Sequence, residues 1–164
     1  MRVRKIEAEF LEYSSAEELY SEEKTLLIAA REASENAYAP YSKFHVGAAV
    51  LLENNNIIIA NNQENAAYPS GMCAERIAIF SAGAQNPGIA IKAVAVIASS
   101  VDFSIDNPVT PCGACRQVMA EYETLHHQEI KIIMSGKSGP VLVSKSVKNL
   151  LPLLFSASHL KPSP

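Results

Sequence analysis

The sequence has no long apolar run, no basic stripe and an odd number of cysteines. Its longest mostly apolar stretch, Ile89 to Ala98, is interrupted by Lys92, and it falls well short of the ~18–20 residues of a membrane span. No membrane partner is expected. Met1 to Tyr13 alternates charged and apolar residues without the apolar centre of a secretory signal, so a soluble, cytoplasmic protein is expected. Lys and Arg number 14 against 17 Asp and Glu, a net charge of -3. The only basic cluster, Arg2, Arg4 and Lys5, is followed at once by Glu7, Glu9 and Glu12. A protein that neutralises phosphates shows a basic stripe, so no nucleic-acid partner is expected. Cys73, Cys112 and Cys115 are the three cysteines. An odd count in such a chain disfavours a disulfide framework and raises metal binding or redox chemistry.

What is present suits one globular domain, residues 1–164, because 164 residues with 48% apolar content can bury a core unaided. No internal repeat or linker divides it. Val3, Ile6, Ala8 and Phe10 alternate roughly, which predicts a short edge strand over residues 3 to 10. Ser15 and Glu18 have capping-box spacing, and the apolar stripe Leu19, Leu26, Ala30, Ala33 and Ala37 predicts a helix from about Ala16 to Tyr38, stopped by Pro40. Phe44, Val46, Ala48 and Val50 share one face of a strand ending at Leu52. Glu53 to Asn56 is a hairpin turn by composition, and Ile57 to Ala60 is the return strand. A helix from about Met72 or Cys73 to Ala84, with Gly83 near its C-terminus, precedes a strand over Ile89 to Ala98 buried on both faces. Helix Pro111 to Tyr122, strands Ile130 to Met134 and Val141 to Val143, and a helical turn over Ser146 to Leu151 follow. Such alternation predicts a layered α/β domain around one mixed sheet.

Cys112-Gly113-Ala114-Cys115 is a C-x-x-C at a predicted helix start. The two sulfurs share one face of the first turn, where unpaired N–H groups favour thiolate. Taken alone, this motif fits a redox pair or half of a structural zinc site. Cys73, also at a helix start, adds a third thiolate and leaves one corner of a tetrahedron open, as in catalytic rather than structural zinc sites. Glu75, two residues away, is placed to move protons without ligating. Three thiolates on Zn²⁺ carry a net negative charge, so one or both of Arg76 and Arg116, each next to a ligand segment, are expected to donate to the sulfurs. His45, His126, His127 and His159 are not expected to supply a fourth ligand.

Cys73-Ala74-Glu75-Arg76 together with Pro111-Cys112-Gly113-Ala114-Cys115-Arg116-Gln117 resembles the zinc nucleoside deaminases. Tyr38-Ala39-Pro40-Tyr41-Ser42-Lys43-Phe44 with Val46-Gly47-Ala48-Ala49, the segment Asn62-Gln63-Glu64-Asn65-Ala66-Ala67-Tyr68, and Leu150-Leu151-Pro152 with Phe155 narrow the likeness to the small cytidine deaminases. The similarity runs from about residue 24 to 160. It implies a three-layer α-β-α domain with a mixed central sheet and one Zn²⁺ per chain on Cys73, Cys112 and Cys115. The implied reaction is hydrolytic deamination of cytidine and deoxycytidine, in pyrimidine salvage. Glu75 would carry protons from the attacking water to N3 of the base and to the departing ammonia. The backbone N–H of Ala74 would hold the base carbonyl, Phe44 would pack on the base, and Asn62 and Glu64 would bind the ribose 3′-hydroxyl. Ala66, Tyr68 and Phe155 would complete a neighbour's site in a homotetramer with shared active sites. A deaminase of another cytosine-containing nucleoside and a non-enzymatic zinc module are the alternatives. Ile77 departs from the Thr common in the family, and residues 1–23 exceed its shortest members. That added segment suits the covering of a sheet edge or the tuning of assembly.

Overall fold

Alternation decides the architecture. The computed structural model describes residues 1–160. It contains six strands, β1 (Leu11–Tyr13), β2 (Phe44–Leu52), β3 (Ile57–Asn61), β4 (Ile91–Ser100), β5 (Lys131–Ser135) and β6 (Val141–Ser144), and three longer helices, α1 (Ser21–Glu35), α2 (Ala74–Gln85) and α3 (Gly113–His126). The sheet order is β1-β6-β5-β4-β2-β3, with β4 and β5 parallel and every other neighbouring pair antiparallel. Ala48, Val50 and Leu52 of β2, Val94 and Val96 of β4, and Ile132 and Met134 of β5 pack on one face against α2 and α3. Ala49, Leu51, Ala95, Ile97 and Ile133 face the other way, onto Leu26, Leu27 and Ala30 of α1. The result is the expected three-layer α-β-α domain, and β4 lies between two covered faces.

Close approach explains the small residues. A Cβ at Gly47 would lie 1.9 Å from the Ala30 carbonyl oxygen, so glycine on β2 lets the α1 backbone lie directly on the sheet. Gly83 lies in the last turn of α2, close to its C-terminus as expected. A Cβ there would lie 2.4 Å from the Tyr122 hydroxyl oxygen, and Asn86 caps the helix.

Other boundaries differ for identifiable reasons. The first helix is not continuous from Ala16. A 3₁₀ turn over Ala16–Glu18 ends at Leu19, where the backbone extends (ψ 151°) and the side chain buries. Tyr20 then caps α1, with the Glu23 carboxylate accepting from its N–H at 3.4 Å. The Ser15–Glu18 pair caps the 3₁₀ turn: Ser15 Oγ accepts from Glu17 N–H, and Glu18 accepts from Ser14 N–H. α1 stops at Glu35, not Tyr38, because the Tyr38 N–H is bonded to the Asn62 carbonyl. Residues 1–10 carry no strand; pairing with β6 begins at Leu11. His126 closes α3, and His127 caps it in the left-handed region at φ 51°.

Candidate active site

Two helix N-termini meet at the sulfurs. Cys73 and Cys112 are the N-cap residues of α2 and α3, both with extended backbone and neither using its side chain as a cap. Serine or aspartate there would bond to its own helix. Cysteine leaves the sulfur free at the positive end of the helix dipole. Cys115 follows one turn into α3 and is fully buried. The Cys73 and Cys112 sulfurs lie 3.8 Å apart, those of Cys112 and Cys115 3.4 Å apart, and all three ligand atoms lie within 4.8 Å of one another. Tetrahedral zinc with Zn–S bonds near 2.3 Å sets sulfurs ~3.8 Å apart. The trio is therefore positioned for one metal ion. Among the described residues no His, Asp or Glu joins the cluster, which leaves the fourth corner open.

The charge pattern fits a cation. The Cys73 thiol is pulled down to about 5, foremost by the Cys115 thiol bonded to it, with Arg76 and Cys112 adding to the effect against burial. Cys115 is pushed up, because its proton serves Cys73 and because it is buried. Cys73 is thus the thiolate of this pair and Cys115 keeps its proton, which a bound metal would displace. Arg76 Nη2 donates to Cys73 Sγ at 3.6 Å, while its buried Nε–H has no acceptor among the described residues. Of the two arginines Arg76 alone takes this role: none of the Arg116 nitrogens bonds to a sulfur. Nε donates to the Pro111 carbonyl at 2.7 Å, Nη1 to the Leu150 carbonyl at 2.8 Å and Nη2 to Thr110 Oγ1 at 3.0 Å.

Glu75, in the first turn of α2, is 4% exposed. Burial, followed by the neighbouring Cys73 charge, raises its carboxyl above the usual range, while its own N–H and the Cys115 thiol pull the other way. A carboxyl held high beside an open metal corner can both take and return a proton. Ala74 is buried at the first position of α2, where a backbone N–H has no partner within the helix.

A cleft of about 430 Å³ opens beside Cys73, lined by residues including Tyr41, Ser42, Asn62, Glu64, Tyr68 and Met72. Asn62 and Glu64 flank Gln63, which pairs with both Tyr38 and Met72, so the 62–64 segment forms a spine between two others. The Asn62 amide donates to the Phe44 carbonyl at 2.9 Å and accepts from Val46 N–H at 2.8 Å. The Glu64 carboxylate accepts from the N–H groups of Tyr41 (2.9 Å) and Ser42 (3.2 Å) and from the Ser42 hydroxyl. The Ser42 hydroxyl also accepts from Phe44 N–H at 3.0 Å. Asn62 and Glu64 thus build the wall as well as facing the cleft. The family likeness assigns Tyr41 and Ser42 no role. Their place two to three residues before Phe44, in a turn with Lys43 left-handed at φ 55°, is the signal that gives them one.

Phe44 is half-buried, on the sheet face toward α2. Ala66 is exposed. Tyr68 is 75% exposed with its ring 6.0 Å from that of Tyr41. Phe155 is 56% exposed, lies outside the cleft and stacks on His159 at 5.5 Å.

The sequence model of one family, the "Cytidine and deoxycytidylate deaminase zinc-binding region", matches residues 20–129. The class set by the sulfur site and the layered sheet is thus a zinc-binding deaminase, and the chain belongs to the cytidine and deoxycytidylate deaminase family. A cytidine deaminase of Sporosarcina psychrophila is 40% identical over 82% of this chain and 92% of its own length. Another, from Halalkalibacterium halodurans, is 40% identical over 82% and 95%. The crystal structure of cytidine deaminase from Burkholderia pseudomallei superposes with a TM-score of 0.69 at 41% identity, covering 80% of this chain and 97% of that one. Among the described residues no helix is long and apolar enough to cross a membrane.

Proposed function

We propose that this chain hydrolyses cytidine and deoxycytidine to uridine and deoxyuridine with release of ammonia, using one zinc held by Cys73, Cys112 and Cys115. The observation that carries this reading is the open fourth corner of a three-sulfur site beside the buried carboxyl of Glu75. Zinc, when bound, supplies a Lewis acid that makes water nucleophilic near neutral pH. Glu75 accepts a proton from the attacking water and delivers it to N3 as oxygen adds to C4. It then passes the second proton to the amino group, the C4–N bond breaks, and ammonia leaves with the C4 carbonyl formed. The Ala74 N–H holds the base carbonyl oxygen, Phe44 walls the ring, and Asn62 and Glu64 use their remaining hydrogen-bonding capacity on the ribose 3′-hydroxyl.

The cleft-lining residues include no lysine or arginine, which favours an unphosphorylated nucleoside over a nucleotide. The net charge of -3 and the lack of a basic track weigh against a polynucleotide. The exposed Ala66, Tyr68 and Phe155 suit contribution to neighbouring sites in a homotetramer, and a cytoplasmic salvage role accords with a free nucleoside substrate. Ammonia release is to be assayed with cytidine, deoxycytidine and deoxycytidylate. Turnover of the two nucleosides and not the phosphate is expected; turnover of deoxycytidylate alone overturns the substrate assignment.

A further inference from the structure

Of the two thiols at the start of α3, Cys115 is buried, whereas Cys112 lies on a turn that little covers. Cys112 and Ala114 are exposed, and a Cβ at Gly113 would meet nothing within 4 Å. The side chain that grips this segment is Arg116. It lies one turn beyond Cys112 and folds back toward the helix start, as long helical side chains do. Its guanidinium bonds the Pro111 carbonyl and Thr110 Oγ1, the two residues leading into Cys112, and reaches across to the Leu150 carbonyl. Leu150 is firm ground: the turn before it is fixed by Glu123, which accepts from Ser146 Oγ and Val147 N–H at 2.9 Å each. A cation near a helix N-terminus opposes the dipole, so α3 itself gains nothing from Arg116.

We propose that Arg116 is a positioning residue of the metal centre. It ties the Thr110–Cys112 segment to the Leu150 turn and so fixes the Cys112 sulfur opposite those of Cys73 and Cys115. The proposal rests on the reading that the three sulfurs hold zinc. It acts through geometry, not through neutralisation of the thiolates, which is left to Arg76. Three acceptors in three directions require the planar fork of arginine; the point charge of lysine cannot span them.

Zinc affinity of the full chain, measured by competition with a chromophoric chelator, tests this, with unfolding curves of the stripped and loaded proteins alongside. Arg116→Gln and Arg116→Lys are both expected to weaken zinc binding by about 10–100-fold, and Thr110→Val, which removes one acceptor, by a smaller factor. The stability loss should be greater in the loaded than in the stripped protein. Zinc affinity unchanged in Arg116→Gln overturns the proposal, as does full rescue by Lys, which would assign the role to charge. Should Arg116→Gln not fold, Thr110→Val with unchanged affinity refutes it. A wild-type chain that binds no zinc defeats the underlying metal reading, and the proposal with it.

Discussion

Glu123→Ala removes one acceptor that three separate donors share. Glu123 lies on α3 and is 6% exposed. Its Oε1 accepts from the N–H groups of Ile130 and Val147, and its Oε2 from the Ser146 hydroxyl, each at 2.9 Å. Alanine would leave two main-chain donors and the proton of one hydroxyl without an acceptor. An orphaned buried donor costs about 1–3 kcal/mol. The lower end applies, because an open cavity of about 280 Å³ beside Glu123 brings water within reach, so the total is about 3 kcal/mol. For a chain of this size that corresponds to a fall of about 6–12 °C in melting temperature. Glutamine keeps one oxygen for both N–H groups, and its amide can donate to Ser146 Oγ, which limits the loss to about 1 kcal/mol. Urea unfolding of the zinc-loaded chain measures both, with the midpoint moving at constant slope. A negligible loss for Ala, or a loss for Gln as large as for Ala, refutes the shared-acceptor account.

Gly47→Ala sets a Cβ 1.9 Å from one α1 backbone atom and 2.6 Å from another; a loss above about 4 kcal/mol, read as insoluble or unfolded protein, is expected. Ser42→Ala removes the hydroxyl between Glu64 and Phe44 and should raise KM with little change in kcat. Glu64 is held below its ordinary value of 4.5, first by the Ser42 hydroxyl and then by the Tyr41 and Ser42 N–H groups. The loop order it supports is therefore full above 4.5 and is lost as pH falls through the lowered value. In Ser42→Ala the acid rise in KM should begin at higher pH, as a pH series of KM will show. Chelation should abolish turnover, with recovery on adding zinc but not magnesium, because three sulfur donors suit a soft-ligand metal.

The sulfur site was legible because most of its parts are local. Helix geometry sets the two sulfurs of the C-x-x-C on one face and Glu75 beside Cys73, while the family likeness joins Cys73 to Cys112, 39 residues away. Alternation in β2 likewise announced which face Phe44 occupies. What could not be read depended on contacts distant in sequence. Arg116 looks like a neutraliser of thiolates until the Leu150 carbonyl, 34 residues away, takes part of its fork. Glu123 lies two residues from Glu121 with nothing local to mark it, because its partners are Ile130, just before β5, and the turn after β6. The break at Leu19 and Tyr20 has no proline or glycine to announce it; burial of Leu19 outweighs the helical stripe. Tyr38 leaves α1 because the 62–64 spine takes its N–H.

Glu75→Gln in the zinc-loaded chain, assayed for ammonia release from cytidine with zinc quantified on the same sample, goes straight to the proton-carrying role of this carboxyl. The substitution is close to isosteric and removes only the group that takes and returns the proton. Turnover should fall about 10²–10⁴-fold, equivalent to about 3–5 kcal/mol of barrier, with one zinc per chain retained. Turnover close to wild type would show that Glu75 carries no proton, and loss of zinc would show that it serves the metal instead.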